Sequence, residues 1–445
     1  MKKIAWGILA ALFLSFAAAP ALYASEIELL VNKLVEKGVL TQFDGQIILN
    51  KAREQAAEKE LKENLVKTTW NNRLQFETPD GRFKGQIGGR LHSDLVYMKG
   101  QGSLEERLGG VDLTREDNAF FRRARLYLQG TVYENFFYKL QWDFAGGTAG
   151  FRDAYVGMQN IPYIGKITAG QFKEPFSLEE LTSSNNITFI ERSLPNVFSP
   201  GRSWGAGVSN SWFDQRATLS LGAFRNSNET GAMVTGNEWN FTTRATALPW
   251  YEASDKLAHL GVGYSLRVPE NNWLRFRQRP DIRIGTRFVD TGVIQADMDN
   301  RLGFEGAVVY GPLSFQGEFI QSFVDVQNRS RTGYLYGGYG YVSYFLTGEN
   351  RRYSKGSGAF SGVSPKNNFS IKDRTWGAWE LAARYSYLDL DDKKAGIEGG
   401  ILSASTIGIN WYLTPNIRAM FNYVHAHRNT AGYADGVQAR LQVTF

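Results

Sequence analysis

The chain has 445 residues, a formal net charge of +6 and no cysteine, so neither a disulfide framework nor thiolate chemistry is available. Aromatic residues make up 14% of it and 47 residues are glycine, which favours tightly turning strands with aromatic girdles over helices. Because the net charge is small, any strongly basic surface must be local.

The first 24 residues have the pattern of a secretory signal peptide. Lys2 and Lys3 form a charged n-region, an apolar h-region runs from Ile4 to Phe16, and small residues follow as far as Ala24. The best cleavage position is after Ala24, with Ala21 as the alternative. No run of 18 apolar residues follows, so we predict an exported chain without a membrane-spanning helix.

Residues 25–69 have helical periodicity. A capping box at Ser25 and a second cap at Thr41 predict two helices, of which the second is highly charged and reaches Lys67. Two interpretations stay open for this segment. It is either a solvated or partly disordered linker, or a short periplasmic segment that promotes oligomerisation.

From Trp70 onward the apolar residues recur with a period of two, which indicates β-strands. Leu91 and Leu95, for example, share the strand face opposite Arg90 and Asp94. A soluble sandwich would need a second sheet to cover the apolar face. A membrane barrel instead turns that face to lipid and the ionic face to a water-filled lumen.

The length and the end of this region favour the barrel. Roughly 375 residues at 20 to 25 per strand and turn predict about 16 strands, enough to leave an aqueous channel. The chain ends in an amphipathic strand with a terminal Phe445, which is typical of bacterial outer-membrane barrels.

The stretch from Gly170 to Arg192 begins as a strand and leaves the sheet at Pro175. We predict an internal constriction loop near residues 174–202 that sets the size of the pore. Lys173 ends the preceding strand, and two roles stay open for it. It either holds an anion at the constriction or forms a structural ion pair with Glu174 or Glu179.

Two runs of arginine follow the ionic face of a strand and are the candidate anion-binding, pore-lining residues. The first comprises Arg123 and Arg125. The second lies in the stretch 273–288, where the alternate residues Phe276, Ile282, Ile284 and Phe288 are predicted to face lipid; its members are Arg275, Arg277, Arg279, Arg283 and Arg287. Guanidinium groups about 7 Å apart along one face offer repeated planar sites for an oxyanion.

Other roles for these arginines stay open. General porins pair arginines with acids across the lumen without selecting one anion, and arginines at a barrel rim bind lipopolysaccharide phosphates. Arg122 is opposite in phase to Arg123, which predicts a place at the rim or at an interface.

Enzymatic interpretations find little support. The four histidines are scattered, and His425 and His427 share a strand face without a third ligand nearby. No nucleophile elbow, zinc-protease motif or P-loop occurs. We therefore expect no enzymatic activity, no metal, no cofactor and no nucleic-acid partner.

Several fragments together resemble the phosphate-selective porin O and P family. They are FRRARL from Phe121, GQFKEPFSLEELTSS from Gly170, TFIER from Thr188, YFLTGE from Tyr344, WELAARYS from Trp379 and NWY from Asn410. The resemblance extends over about residues 80–445. It implies trimeric outer-membrane barrels of about 16 strands, with a pore lined by an arginine ladder and narrowed by inward-folded loops.

The combined prediction is an all-β fold, a transmembrane antiparallel β-barrel of about 16 strands with a short N-terminal helical segment. Its parts are the signal peptide (1–24), the helical periplasmic segment (25–69) and the barrel (70–445). We predict a homotrimeric porin of the Gram-negative outer membrane that contacts lipid and lipopolysaccharide and admits small anions by passive diffusion, phosphate or polyphosphate first. The alternatives are a general porin with weak anion preference and a barrel that acts as a structural envelope anchor.

Overall fold

The computed structural model describes residues 23–227 and 238–445. Apart from its last two residues, the predicted signal peptide lies outside these ranges. Within them, no helix is both long and apolar enough to cross a membrane. The chain divides into two compact units, and residues up to Lys67 together with Glu77–Gly81 belong to the first.

The first unit is built on two helices, α1 (Tyr23–Glu36) and α2 (Gln42–Asn64). The predicted cap at Thr41 is present, because its Oγ1 accepts a hydrogen bond from the backbone N–H of Asp44 at 3.1 Å. The predicted cap at Ser25 is wrong, since α1 begins two residues earlier and Ser25 lies inside it.

The second unit is a closed antiparallel barrel. In the described part of the chain it has sixteen strands, β1 to β16 in chain order: Phe83–Gly100, Asn118–Val132, Phe136–Asp143, Gly150–Ile161, Gly165–Lys173, Arg202–Trp212, Ala217–Arg225, Trp239–Ala253, Lys256–Arg267, Ile294–Tyr310, Leu313–Val326, Gly333–Phe345, Ala378–Asp392, Ile397–Tyr412, Ile417–Arg428 and Gly432–Thr444. Each strand pairs with the next, and β16 pairs with β1 from Ala434 opposite Gly100 to Thr444 opposite Arg90. The predicted fold is confirmed.

Shorter elements lie outside these strands. The α-helices α3 and α4 are Gly102–Arg107 and Leu178–Leu181. The 3-10 helices are Leu113–Glu116, Leu194–Phe198, Glu270–Asn272, Lys355–Ser357 and Lys393–Ala395. Short strands are Lys67–Trp70, Leu74–Glu77, Trp273–Leu274, Arg277–Gln278, Val289–Asp290, Tyr353–Ser354 and Ala359–Phe360.

The two faces of the barrel wall are inverted relative to a soluble protein. Outward-facing Leu95 and Ile407 are exposed over 61% and 60% of their surface, whereas inward-facing Asp94, His92 and Glu380 are fully buried. Water-facing charge inside and apolar surface outside are what a barrel in lipid requires. The alternation read from the sequence therefore has the predicted orientation.

The two ends of the barrel differ in their connections. At one end most turns are short, such as residues 133–135 and 254–255, but the β12–β13 segment at that end spans 346–377. At the other end, two long connections are the β5–β6 loop (174–201) and the β9–β10 loop (268–293). Both long loops pack against inward-facing wall residues.

The prediction of a wall strand in the stretch 273–288 is wrong. These residues belong to the β9–β10 loop, in which Trp273–Leu274 pairs with the start of β10 and Arg277–Gln278 pairs with Val289–Asp290. The chain turns back after Pro280, where Asp281 has a φ of 57°. The residues predicted to face lipid are buried inside the barrel mouth, against inward-facing apolar residues of β11 to β15; they are Phe276, Ile282, Ile284 and Phe288.

Candidate functional site

A cavity of about 700 Å³ lies on one side of the barrel interior, between the inner wall of β1 to β6 and the two inward loops. Thirteen of its lining side chains are Lys or Arg and four are Asp or Glu. The cationic residues are Arg90, Arg122, Arg123, Arg125, Lys139, Arg152, Lys166, Lys173, Arg192, Arg202, Arg279, Arg283 and Arg287. Such an excess of positive charge, enclosed by a low-dielectric wall, attracts anions.

The β5–β6 loop fills the opposite side of the interior and is fastened to the wall there. Arg418 on β15 donates to the carbonyl of Ile187 at 2.8 Å, and Asn422 accepts from the Ile190 N–H at 2.8 Å. On β11, the Glu318 carboxylate accepts from two backbone N–H groups at the start of α4. These contacts leave the space beside β1 to β6 open.

Arg440 on β16 joins the loop to two strands at once. Its guanidinium forms two hydrogen bonds of 2.7 Å with the Asp94 carboxylate on β1 and donates to the Ile190 carbonyl at 2.7 Å. It also lies 3.1 Å from Glu191, which Arg122 contacts at 2.7 Å. Burial acts to raise the pKa of Glu191, but these arginines hold it well below its usual value.

A β-bulge in β2 turns two consecutive arginines into the lumen. The register passes from His92 opposite Arg123 to Ser93 opposite Phe121, which leaves Arg122 as the extra residue. Arg122 consequently reaches Glu191 and lines the cavity. The prediction that Arg122 lies at the rim or an interface is wrong because strict alternation was assumed across this bulge.

Several wall cations are neutralised by neighbouring carboxylates. Arg125 contacts Asp143 at 2.8 Å. Asp153 accepts from both Lys139, at 2.9 Å, and Arg202, at 2.6 Å. The pairs of Arg125 and Lys139 connect adjacent strands and the pair of Arg202 connects β6 to β4, so they stiffen the wall and reduce the charge that an anion experiences there.

Arg90 and Arg123 differ from these pairs. Among the described residues, neither has a carboxylate within 4 Å, and the Nε of each is buried without a hydrogen-bond partner. Arg90 donates to Ser184 on the β5–β6 loop at 2.9 Å, and Arg123 lies 3.5 Å from His92. Buried donors without acceptors are costly, which marks this corner of the cavity as a place for an oxyanion.

Lys173 lines the cavity and forms an ion pair with Glu180 at 3.1 Å. Arg192 contacts the same carboxylate at 3.2 Å. Although burial acts in the opposite direction, the two cations lower the pKa of Glu180 to about 2. The ion pair of Lys173 is thus with Glu180, whereas Glu174 binds Arg267 on β9 at 2.8 Å.

The predicted arginines of the β9–β10 loop separate into two groups. Arg279, Arg283 and Arg287 line the cavity from the loop, opposite the wall. Arg275 is half exposed and forms an ion pair with Asp290 at 2.6 Å. Neither Arg275 nor Arg277 is among the described residues that line the cavity.

Asp281 is a buried acidic residue of this loop. Its carboxylate lies 2.8 Å from Arg384 on β13, and its second oxygen is buried without a partner. Burial raises the pKa of Asp281 to about 7 despite the nearby arginine. Burial, followed by the neighbouring Arg283 and Arg287, lowers the pKa of Arg279 to about 10.

Seven cavity cations were not predicted as anion-binding residues: Arg90, Arg122, Lys139, Arg152, Lys166, Arg192 and Arg202. The alternation of β1 and β3 already places Arg90 and Lys139 on the inner face, so their pattern contained a usable signal. The open wall is identified only by the packing of the β5–β6 loop against the other side.

The described residues form no cluster of three or more His, Asp or Glu that would hold a metal ion.

Comparisons with known proteins agree with this architecture. The sequence profile described as "Phosphate-selective porin O and P" matches residues 87–445. Porin O of Pseudomonas aeruginosa is 28% identical over 418 residues, which cover 84% of this chain and 91% of that protein. An uncharacterized protein of Caulobacter vibrioides is 27% identical over 366 residues, which cover 80% and 70% of the two chains.

Solved structures also match at low identity. Salmonella typhi OmpF in complex with daunomycin has a TM-score of 0.50 at 12% identity, covering 85% of this chain and all of that one. The outer-membrane channel DcaP of Acinetobacter baumannii has a TM-score of 0.49 at 13% identity, covering 82% and 97%. At this identity the OmpF match supports the fold alone.

Proposed function

The chain belongs to the phosphate-selective porin O and P family, and we propose that its barrel conducts small anions, phosphate or polyphosphate first, by passive diffusion. As a member of this family it is an outer-membrane porin, a channel rather than an enzyme. The ionic selectivity is our inference from the cavity. The observation that carries it is a pair of wall arginines, Arg90 and Arg123, whose Nε atoms are buried without a hydrogen-bond partner and which lack a carboxylate partner in the described structure.

An oxyanion at this corner would meet several donors. The guanidinium planes offer charge-assisted hydrogen bonds, and the Ser183 and Ser184 hydroxyls of the β5–β6 loop face Arg90 at 3.4 and 2.9 Å. These hydroxyls replace part of the hydration shell of the anion. Because only some of the five N–H donors of a guanidinium are engaged, the anion is held without displacing an ion pair.

For the anion to leave this corner, the pore must offer further binding sites of similar strength. In the strand register, Lys139 on β3 pairs with Gln129, four residues beyond Arg125 toward the short-turn end, and Lys166 lies near the start of β5. Arg279, Arg283 and Arg287 extend the cationic lining toward the other end. Conduction requires several weak sites rather than one strong site.

The constriction is proposed to be the β5–β6 loop, with its boundaries near 174–202. Its main-chain contacts with Arg418, Arg440 and Glu318 support a fixed position. We likewise propose residues 1–24 as a cleaved signal peptide and 25–69 as a periplasmic segment. A homotrimer in contact with lipopolysaccharide is the assembly that we infer from the family.

A general porin with weak anion preference is the second candidate. The ion pairs of Asp143 and Asp153 favour it, because they neutralise Arg125, Lys139 and Arg202 on the open wall. Such pairs order water across a lumen without selecting one anion.

Chloride conductance in planar bilayers separates the two candidates. For a phosphate channel, added inorganic phosphate blocks the chloride current in a saturable manner, because phosphate occupies the same cationic corner for longer. A general porin passes chloride with no saturable block. Arg123→Glu is the matched variant, and it removes the block without changing the barrel fold as judged by the heat-dependent mobility of the protein in gels.

A further inference from the structure

His92 is a buried imidazole in the most cationic part of the wall. It lies on β1 with no exposed surface, directly opposite Arg123 on β2 and Gln442 on β16. Arg90 precedes it on the same inner face, and Arg440 is also close enough to act on it electrostatically. Nothing in the conduction pathway described above assigns a role to it.

The contacts of His92 fix its protonation state. Its Nε2 lies 3.1 Å from Asn185 Oδ1 of the β5–β6 loop, and an amide oxygen only accepts, so Nε2 carries the hydrogen. Its Nδ1 faces the NH1 of Arg123 at 3.5 Å, and a guanidinium only donates, so Nδ1 is bare. The imidazole is therefore neutral, in the Nε2–H tautomer.

The neutral partner distinguishes Arg123 from nearby wall arginines. Arg125 contacts Asp143, and Arg440 contacts Asp94, each within 2.8 Å. A carboxylate in place of His92 would neutralise Arg123 in the same way. An imidazole orients the guanidinium with a lone pair but leaves its full positive charge for a ligand.

His92 also couples the wall to the loop. Asn185, which accepts from His92, has its backbone carbonyl held by the Gln442 side chain at 3.1 Å. The loop therefore holds Asn185 in place, and Asn185 fixes the tautomer of His92. In that tautomer the lone pair of His92 Nδ1 faces Arg123.

We propose that His92 is a positioning residue that holds Arg123 in place while leaving its charge uncompensated, so that the pore retains one open anion site. This inference depends on the proposed anion conduction. According to this inference, the neutral His92 contributes to anion selectivity by keeping Arg123 charged and correctly oriented.

The experiment measures the inorganic phosphate concentration that half-blocks chloride conductance of the full-length pore in bilayers. His92→Gln keeps a neutral acceptor and donor, and we expect a half-blocking concentration within about twofold of the wild type. His92→Glu supplies a carboxylate, and we expect a rise of about tenfold or more, as expected from the loss of one charge-assisted hydrogen bond. Arg123→Gln should produce the same rise, and adding His92→Glu to Arg123→Gln should produce a smaller further rise than His92→Glu produces alone.

Thr168→Asp is the matched control, because Thr168 lines the same cavity from β5, with three strands between it and β1. It adds one negative charge away from Arg123, and its effect should be several-fold smaller than that of His92→Glu. If His92→Glu fails to assemble, His92→Asp carries the same charge on a shorter side chain.

Two results would overturn the inference. The first is a half-blocking phosphate concentration in His92→Glu equal to that of the wild type. The second is an equal rise of that concentration in His92→Gln and His92→Glu, which would indicate that His92 has a packing role only. If phosphate does not block the wild-type pore at all, the proposed function itself is wrong. That outcome is seen before any variant is compared.

Discussion

Arg440 connects the β5–β6 loop, β16 and β1, so Arg440→Met is the most informative structural perturbation. The guanidinium and the Asp94 carboxylate are both fully buried, and the substitution leaves that carboxylate without its partner and the Ile190 carbonyl without its donor. Breaking a buried ion pair on one side costs about 3–5 kcal/mol. We expect that loss in the free energy of unfolding.

Removing both charges should cost less. In the double variant Asp94→Asn, Arg440→Met no buried charge is left unpaired, so most of the penalty disappears and the residual loss is about 1–2 kcal/mol for the unmade bond to Ile190. The matched control is Arg331→Met. Arg331 is half exposed and approaches Asp392 only to 3.9 Å, so the expected loss is below about 1 kcal/mol.

The assay is reversible denaturant unfolding in detergent micelles, followed by the fluorescence of the tryptophans. The midpoint shift with an unchanged slope gives the free-energy difference. In bilayers, the single variant should also have a larger conductance because the loop has lost its attachment at Ile190 and Glu191. A loss below about 1 kcal/mol for Arg440→Met, or a double variant less stable than the single one, would rule out this role for the ion pair between Arg440 and Asp94.

Three further predictions concern the wall arginines, Asp281 and the helical segment. Arg123→Gln should raise the half-blocking phosphate concentration about tenfold. Arg125→Gln should raise it less, because the Asp143 carboxylate that it leaves behind is still compensated by Arg152 at 3.4 Å and the Ala124 N–H at 3.2 Å. Equal effects would contradict the distinction between open and neutralised arginines. Burial raises the pKa of Asp281 to about 7, so its carboxyl is mostly neutral below pH 7 and charged above it, and zero-current potentials should show stronger anion preference at pH 6 than at pH 8. Asp281→Asn should make this difference smaller, and an undiminished difference would argue against this group. Deleting residues 26–66 should leave single-channel conductance and phosphate block unchanged, since the lining residues that the structure describes all belong to the barrel unit; an altered conductance would give the helices a part in the pore.

The barrel could be predicted because its signal repeats in every strand. Leu91, Leu95 and Leu441 show the apolar face that the sequence pattern requires, and all three lie exposed on the outer wall. Local alternation decides the orientation of each strand without knowledge of its neighbours. The closure of β16 on β1 is expected because an open sheet edge would leave backbone N–H and C=O groups unpaired in lipid.

The β9–β10 loop could not be predicted from alternation alone. A strand facing lipid and a loop packed inside the barrel mouth both need an apolar residue at every second position, and the sequence around Phe276 and Ile282 satisfies either. The difference arises from inward-facing apolar residues on distant strands, such as Ile320 and Leu402. Pro280 followed by Asp281 was the local sign that the chain turns back.

The site was only partly predictable for a related reason. Two adjacent arginines, Arg122 and Arg123, break strict alternation, and this break is the visible sign of the bulge. Whether an arginine is neutralised depends on which carboxylate the register places opposite it, as Asp143 is placed opposite Arg125. Register across strands is a tertiary property, so the sequence could indicate both Arg123 and Arg125 but not that only Arg125 has a carboxylate partner.

The zero-current potential and the chloride current of the wild-type pore under a potassium chloride gradient, measured before and after adding inorganic phosphate, decide whether the pore conducts anions and binds phosphate. We predict a potential set by chloride rather than potassium, and a chloride current that phosphate blocks in a saturable manner. A pore that prefers potassium, or whose chloride current phosphate does not reduce, would contradict it.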